Sequence, residues 1–200
     1  RMEAEPRLGS SSGKPWFHHP ETGVLTPEKI GDEMSVGASK FYRTTCFREI
    51  GGFVRHLIWD GIDCHRARMQ GWIVESVDSE DLRFLHLRPM GSSHGSIWHG
   101  RVREGRAQWI MGSWPPFVLA SVASRLIRYP VLTGSLAMLW GYLSSAPKKI
   151  ARYEEPEFRR FLRRYQRWSL LLGKRAAARK MTDERAGRWE AAHGGASAAA

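Results

Sequence analysis

The sequence is short of cysteine, short of acid and without a long apolar run, and each shortage removes a class of protein. Two cysteines in 200 residues, Cys46 and Cys64, exclude a disulfide-built secreted module and an all-cysteine zinc site. Asp and Glu number 20 against 31 Lys and Arg, so the formal charge is +11. That excess calls for an acidic partner: nucleic acid, anionic lipid or a phosphorylated substrate. Arg1 opens the chain with no charged-then-apolar signal segment behind it, and the expectation is a chain that begins inside a larger protein. A content of 42% hydrophobic and 11% aromatic residues is that of a folded core, one domain or a domain with an appendage.

The charge is uneven. Residues 1–147 hold 17 basic and 14 acidic side chains, whereas residues 148–190 hold 14 basic and 6 acidic. Most of the excess is therefore C-terminal, either a surface for anionic lipid or nucleic acid or a solvated helix face.

Local patterning predicts a mixed α/β core. The Gly/Ser/Pro-rich start, residues 1–30, predicts the tail of a helix, a turn and a short strand, then a loop at 20–23. Residues 35–42 lead to a helical turn capped near Thr44 or Thr45 and stopped by Gly51-Gly52. A helix is expected from Trp59 to Gly71, strands over Trp72–Val77 and Leu82–Leu87, and a loop over Pro89–Gly105. The domain reading is 1–112 as the α/β part, 113–147 as an apolar helical hairpin, 148–190 as a basic amphipathic tail and 191–200 as disordered.

Neither half of the apolar stretch, Phe117–Ile127 or Val131–Leu143, reaches the ~20 residues of a span. Joined, they carry Arg125 and Arg128 near the middle, at roughly 2.5–3.5 kcal/mol each. Two short interfacial helices, or a buried hairpin, fit better than one span. In 156–172, Phe158, Phe161, Leu162, Tyr165, Trp168 and Leu172 form one apolar stripe flanked by Arg159, Arg160, Arg163, Arg164 and Arg167. Such a helix suits an anionic membrane surface, and equally the flank of its own domain with the arginines outward.

Chemistry concentrates between Phe41 and Ser92. Asp60 and Asp63 stand three residues apart and share a face of one helical turn, with Asp60 at its start. A carboxylate there meets the positive end of the helix dipole and free backbone amides, which suits a base that takes a proton near neutrality. The plainer reading makes Asp60 an N-cap and Asp63 an exposed first-turn acid.

The run Tyr42-Arg43-x-x-x-Phe47-x-x-Ile50-Gly51-Gly52-Phe53, then Trp59-Asp60, then Arg66, then Gly71-Trp72, resembles the acceptor half of family 2 glycosyltransferases. The likeness covers roughly residues 8–115. It implies an inverting enzyme with a GT-A fold, of which this chain is the C-terminal, acceptor-and-base part. Asp60 takes the place of the base that deprotonates the acceptor hydroxyl, and Trp59 stands where the family usually has Glu. Asp63 then either partly replaces that acid or fixes the helix, and Arg66 orients one of the two aspartates. By the same resemblance a strand over Ser10–Phe17 follows the nucleotide-binding half, and Gly51, Gly52, Trp59 and the segment Ser35–Lys40 fall on the acceptor side. The run His86-Leu87-Arg88-Pro89-Met90-Gly91-Ser92 is similar to the loop that closes over the donor diphosphate, with Arg88 and Ser92 as phosphate contacts. His86 is either a metal or phosphate ligand or a strand histidine bonded to backbone.

Two absences qualify the likeness. The sequence contains no Asp-x-Asp, the motif that holds Mg²⁺ or Mn²⁺ on the donor diphosphate in that family, and no Gln-x-x-Arg-Trp, the mark of processive polysaccharide synthases. The resemblance therefore implies a nucleotide-sugar donor, such as a UDP-sugar, and a divalent ion held mainly by residues outside this chain. It also implies a saccharide or lipid-linked acceptor, at the cytoplasmic face of a membrane. The rivals are a membrane-associated fragment without catalysis and a basic nucleic-acid-binding module. The second is disfavoured because no RNA- or DNA-binding motif occurs.

Overall fold

The computed structural model describes residues 1–19, 22–28, 30–87, 97–126 and 132–194. Its strands are β1 (Leu8–Ser12), β2 (Pro15–His18), β3 (Leu25–Pro27), β4 (Lys40–Tyr42), β5 (Ile73–Ser76) and β6 (Phe84–Leu85). Its helices are α1 (Thr44–Glu49), α2 (Trp59–Met69), α3 (Ile97–Met111), α4 (Pro115–Ala123), α5 (Thr133–Leu143), α6 (Pro156–Leu172), α7 (Lys174–Asp183) and α8 (Ala186–His193). The class is mixed α/β, with two small three-stranded sheets, β4-β1-β5 and β3-β2-β6.

The central strand of the first sheet is made of Leu-Gly-Ser-Ser-Ser, a composition that reads as loop. It forms a buried strand because its hydroxyls are satisfied by each other's surroundings. Ser10 Oγ meets Ser35 Oγ at 2.7 Å, and Ser12 Oγ accepts the Val36 N–H at 2.8 Å. Gly9 is required where it stands, since a Cβ there would collide with Cys46 and Trp72. β1 runs antiparallel to β4, pairing Ser10 with Tyr42 and Ser12 with Lys40, and parallel to β5.

The helix tail expected at the start is not formed, residues 2–4 and 6–7 being turns that lead into β1, and the expected single strand over Ser10–Phe17 is in fact two, β1 and β2, in different sheets. The break falls at Gly13, where a Cβ would run into the Leu82 carbonyl, and at Lys14, whose ammonium donates to Asp32 and to the Ile30 carbonyl, each at 2.8 Å. The helix expected near Thr44 is present with Arg43 as its N-cap residue, and Gly51 and Gly52, with φ of +74° and +71°, end it. Residues 35–42 supply a short 3-10 turn at Gly37–Ser39 and then β4.

The loop expected over Pro89–Gly105 is overturned in its second half. Residues 97–111 are the fifteen-residue helix α3, whose glycines disguise it in the sequence. One of them is a packing device: a Cβ on Gly105 would strike the Met138 carbonyl of α5, and one on Gly141 of α5 would strike the Val102 carbonyl. The apolar stretch does give two helices, α4 and α5, but α5 packs chiefly on α3. Arg125 at the end of α4 is paired with Glu104 at 2.8 Å, and Glu104 also takes Arg101 at 2.9 Å.

Helix α6 answers the question left open by its stripe. Phe158, Phe161, Leu162 and Tyr165 are buried in a core shared with Ile62 of α2 and with Ala177, Ala178 and Met181 of α7. Leu172 is exposed, because the helix ends at Gly173 beyond the reach of that core. Its arginines are largely engaged within the chain. Arg159 lies over Gly112, Arg163 donates to the Gly112 carbonyl, Arg164 pairs with Glu184 at 3.0 Å and Arg167 covers the Trp114 ring.

The last helix returns to the first sheet. Trp189 and His193 stack at 4.7 Å, both meet the Trp72 ring edge-on, and Glu49 accepts from Trp72 Nε1 and bonds His193 Nε2, each at 2.8 Å. α8 therefore enters the stretch expected to be disordered, and residues 195–200 lie outside the described residues.

Candidate functional site

The start of α2 is where the aspartates, the 3-10 turn and β4 converge. Asp60 lies in the first turn of α2, half-buried, and its Oδ1 accepts the Gly61 N–H at 3.0 Å. Its other oxygen faces Gly37, where a Cβ would stand 3.3 Å from Oδ2 and 2.9 Å from the Trp59 ring. The absence of a side chain at position 37 is thus what lets the Ser35–Lys40 segment close against the carboxylate.

Lys40 fastens this corner. Its ammonium donates to the Asp60 carbonyl at 2.9 Å and to Cys64 Sγ at 3.4 Å, and it stands 5.2 Å from the Tyr42 ring centroid and 5.5 Å from that of Trp59. Asp63 lies one turn further on and is fully buried. Tyr42 donates its hydroxyl to Asp63 Oδ2 at 2.8 Å, while Oδ1 has no hydrogen-bond partner among the described residues. Burial is the main force raising the Asp63 carboxyl above its ordinary range, against the Tyr42 bond and the positive charges of Lys40 and Arg66. The same burial, then Asp63 itself, pushes the Tyr42 phenol far up. The two aspartates thus have different surroundings: Asp60 reaches the surface and Asp63 is an interior group.

An aromatic wall flanks Asp60. Tyr42, Phe47, Phe53 and Trp59 meet edge to face, with Phe47–Phe53 at 4.8 Å and Phe53–Trp59 at 4.9 Å. The Gly51-Gly52 turn aims Phe53 back onto this wall, and Phe53 keeps 59% of its surface exposed. An exposed aromatic ring beside a surface carboxylate sets an apolar surface next to a hydrogen-bond acceptor.

The other predicted residues are placed elsewhere. Arg66 pairs with Glu155 at 3.4 Å and lies over Gly51, so its ion pair does not cross the turn to either aspartate. His86 follows β6 in the second sheet, donates its backbone N–H to the Trp16 carbonyl and has Nδ1 at 3.2 Å from Glu28 Oε1. Arg88 and Ser92 lie outside the described residues. Among the described residues no three His, Cys, Asp or Glu side chains come together as a metal site. Those residues therefore do not by themselves fit Mg²⁺ or Mn²⁺, and no chemistry below is routed through a metal.

Both thiols are interior. Cys46 and Cys64 are fully buried, and burial pushes the Cys46 thiol up to about 12, which favours its protonated form. A separate cleft between β5 and α7, lined by Asp32, Glu33, Arg68, Ser76, Arg175 and Thr182, contains none of the predicted site residues. Lys40, Tyr42 and Phe53 are the site residues that motif reading passed over as individuals. Their signal was the odd density of aromatic and basic side chains around Gly51-Gly52.

No family model matches the chain, and no curated protein or solved structure is similar to it.

Proposed function

We propose that the chain is the acceptor-and-base part of an inverting glycosyltransferase with a GT-A-like fold, resembling family 2. One observation carries the reading. A half-buried carboxylate, Asp60, stands at the start of α2 between a glycine backbone and an aromatic wall, the environment a base needs to meet a sugar hydroxyl. The motif order from Tyr42 to Trp72 supports it independently.

In this reading the saccharide or lipid-linked acceptor lies on Phe53 and Trp59 with one hydroxyl at Asp60. Asp60 takes the hydroxyl proton as the oxygen attacks the anomeric carbon. The new C–O bond forms on the face opposite the diphosphate, and the bond to the departing nucleoside diphosphate breaks. Inversion follows from that geometry. Tyr42, Asp63 and Lys40 act beneath the site, holding the first turn of α2 in place. The donor, a UDP-sugar in the simplest case, belongs to the same proposal, with His86, Arg88 and Ser92 as the residues that the resemblance offers to its phosphates and with Mg²⁺ or Mn²⁺ held by a motif this chain does not contain.

The location proposed is a membrane surface on the cytoplasmic side, where two unpaired cysteines stay reduced. Among the described residues no helix is long and apolar enough to cross a membrane. The test is transfer by the Asp60→Asn variant of the complete enzyme of which this chain would be a part: the reading requires that sugar transfer fall by about 10²–10⁴-fold while the fold and thermal transition are retained. Transfer at the wild-type rate refutes it.

A further inference from the structure

Helix α5 is packed inside out. Its small residues Gly134, Ser135, Ala137 and Gly141 are buried with Met138 and Tyr142, while Leu132, Leu136, Trp140 and Leu143 are each more than half exposed. Those four lie at i, i+4, i+8 and i+11, one continuous stripe from the N-cap to the last turn. Leu119 of the adjoining α4 is also more than half exposed. A helix that faces water buries its large apolar side chains. One that faces lipid turns them outward and uses small residues for helix contact. The crossing of Gly105 on α3 with Gly141 on α5, backbone against backbone, is of the second kind.

Length and charge say what covers the stripe. Eleven residues make a helix about 16 Å long, half of the ~30 Å apolar thickness of a bilayer, so α5 can lie in the interfacial layer but not cross it. From Gly105 to Tyr153 the sequence has no Asp or Glu, and it carries Arg106, Arg125, Arg128, Lys148, Lys149 and Arg152. Lys148 and Lys149, both exposed, follow the turn that ends α5. Arg125 is taken by Glu104 and Arg152 lies over the Trp109 ring, so Lys148 and Lys149 are the exposed cations beyond the end of the stripe, and exposed cations beside an apolar stripe are complementary to an acidic lipid surface.

We propose that the outward stripe of α5, with Leu119 of α4, docks the chain on an anionic phospholipid bilayer, the stripe entering the interfacial layer and Lys148 and Lys149 meeting the headgroups. The inference deepens the membrane part of the reading above and rests on it. Of the two elements that the sequence offers to lipid, it selects the 117–143 stretch and not α6, whose stripe is already buried in the protein core.

The experiment is vesicle flotation of the whole chain with phosphatidylcholine vesicles and with vesicles containing a third of phosphatidylglycerol. It compares wild type with Leu136→Glu/Trp140→Glu and with Lys148→Glu/Lys149→Glu. Because the four substituted positions are exposed, thermal transitions of both variants serve as the control for folding. The expected results are flotation of wild type with the anionic vesicles and at least about tenfold weaker binding by the Leu136/Trp140 variant, the loss expected when a large apolar side chain leaves an apolar phase. The lysine variant is expected to weaken binding to anionic vesicles and to lessen its salt dependence. Anionic-vesicle binding by the Leu136/Trp140 variant equal to wild type overturns the assignment of the surface and leaves the membrane reading standing. A wild-type chain that floats with neither vesicle overturns both. If that chain is instead a dimer that the Leu136/Trp140 variant converts to monomer, the stripe's occupant is a second copy.

Discussion

Tyr42 donates its hydroxyl to Asp63 over 2.8 Å, and this bond divides the labour between two aspartates that the sequence presents as a pair. It ties β4 to α2 and commits Asp63 to the interior, leaving Asp60 as the half-buried carboxylate of the pair. Tyr42→Phe removes the only hydrogen bond that the described residues give the Asp63 side chain. The expected loss is about 1–3 kcal/mol. Asp63 has its native pKa raised above the ordinary 3.8, so its contribution to stability is present below that value and is lost as pH rises through the native pKa. The Tyr42→Phe penalty should therefore be larger at neutral pH than in acid, where Asp63 is protonated. Urea denaturation at both conditions checks this, and a penalty independent of pH contradicts it.

His65 is buried against Phe158, Phe161 and Tyr165, and its Nδ1 has no hydrogen-bond partner among the described residues. Burial, then Arg68 and Lys40, drives its pKa well below the ordinary 6.5. It therefore contributes stability above pH 6.5 that is lost as pH falls toward the native value, at up to about 1.4 kcal/mol per pH unit. His65→Phe should keep or raise the thermal transition at pH 7 and flatten its acid slope. Thermal melts across this range decide it, and an unchanged slope contradicts the assignment.

Phe158 is fully buried between α2 and α7. If the C-terminal helices are part of the core, Phe158→Ala costs about 3–5 kcal/mol. A loss of under 1 kcal/mol in chemical denaturation would mean that α6 is an independent tail.

Gly141 of α5 touches the α3 backbone directly. Gly141→Ala is expected to cost about 1–3 kcal/mol by overpacking. A neutral result in the same denaturation experiment would show that the two helices can separate without loss.

What the sequence made legible was periodic or punctuated. Gly51-Gly52 and Gly71 marked the ends of α1 and α2 because helices end where φ turns positive. The stripe of α6 was visible as a period, but whether lipid or protein covers it depends on α7 and Ile62, which a local pattern does not contain. β1 was hard to see because its buried serines are satisfied by Ser35 and Val36, over 20 residues away. α3 was hidden because Gly105 exists to admit Met138, a tertiary reason that reads locally as a loop. At the site, Asp60 was legible from its place at a helix start. The partners that separate it from Asp63, namely Tyr42, Lys40 and Gly37, became legible only once β4 was laid beside α2.

The central claim is that Asp60 is the base of sugar transfer. The most direct measurement is acceptor-dependent release of nucleoside diphosphate from UDP-, GDP- and dTDP-sugars, with membrane lipid extract as acceptor. It is made in the complete enzyme of which the proposal makes this chain a part, and it compares wild type, Asp60→Asn and Asp63→Asn at equal folded concentration. The account predicts acceptor-dependent release by wild type from one donor and a fall of about 10²–10⁴-fold in kcat for Asp60→Asn. Asp63→Asn should keep kcat within about tenfold and act mainly on stability. In that complete enzyme, release by Asp60→Asn at the wild-type rate, or no acceptor-dependent release by wild type from any of the three donors, contradicts it.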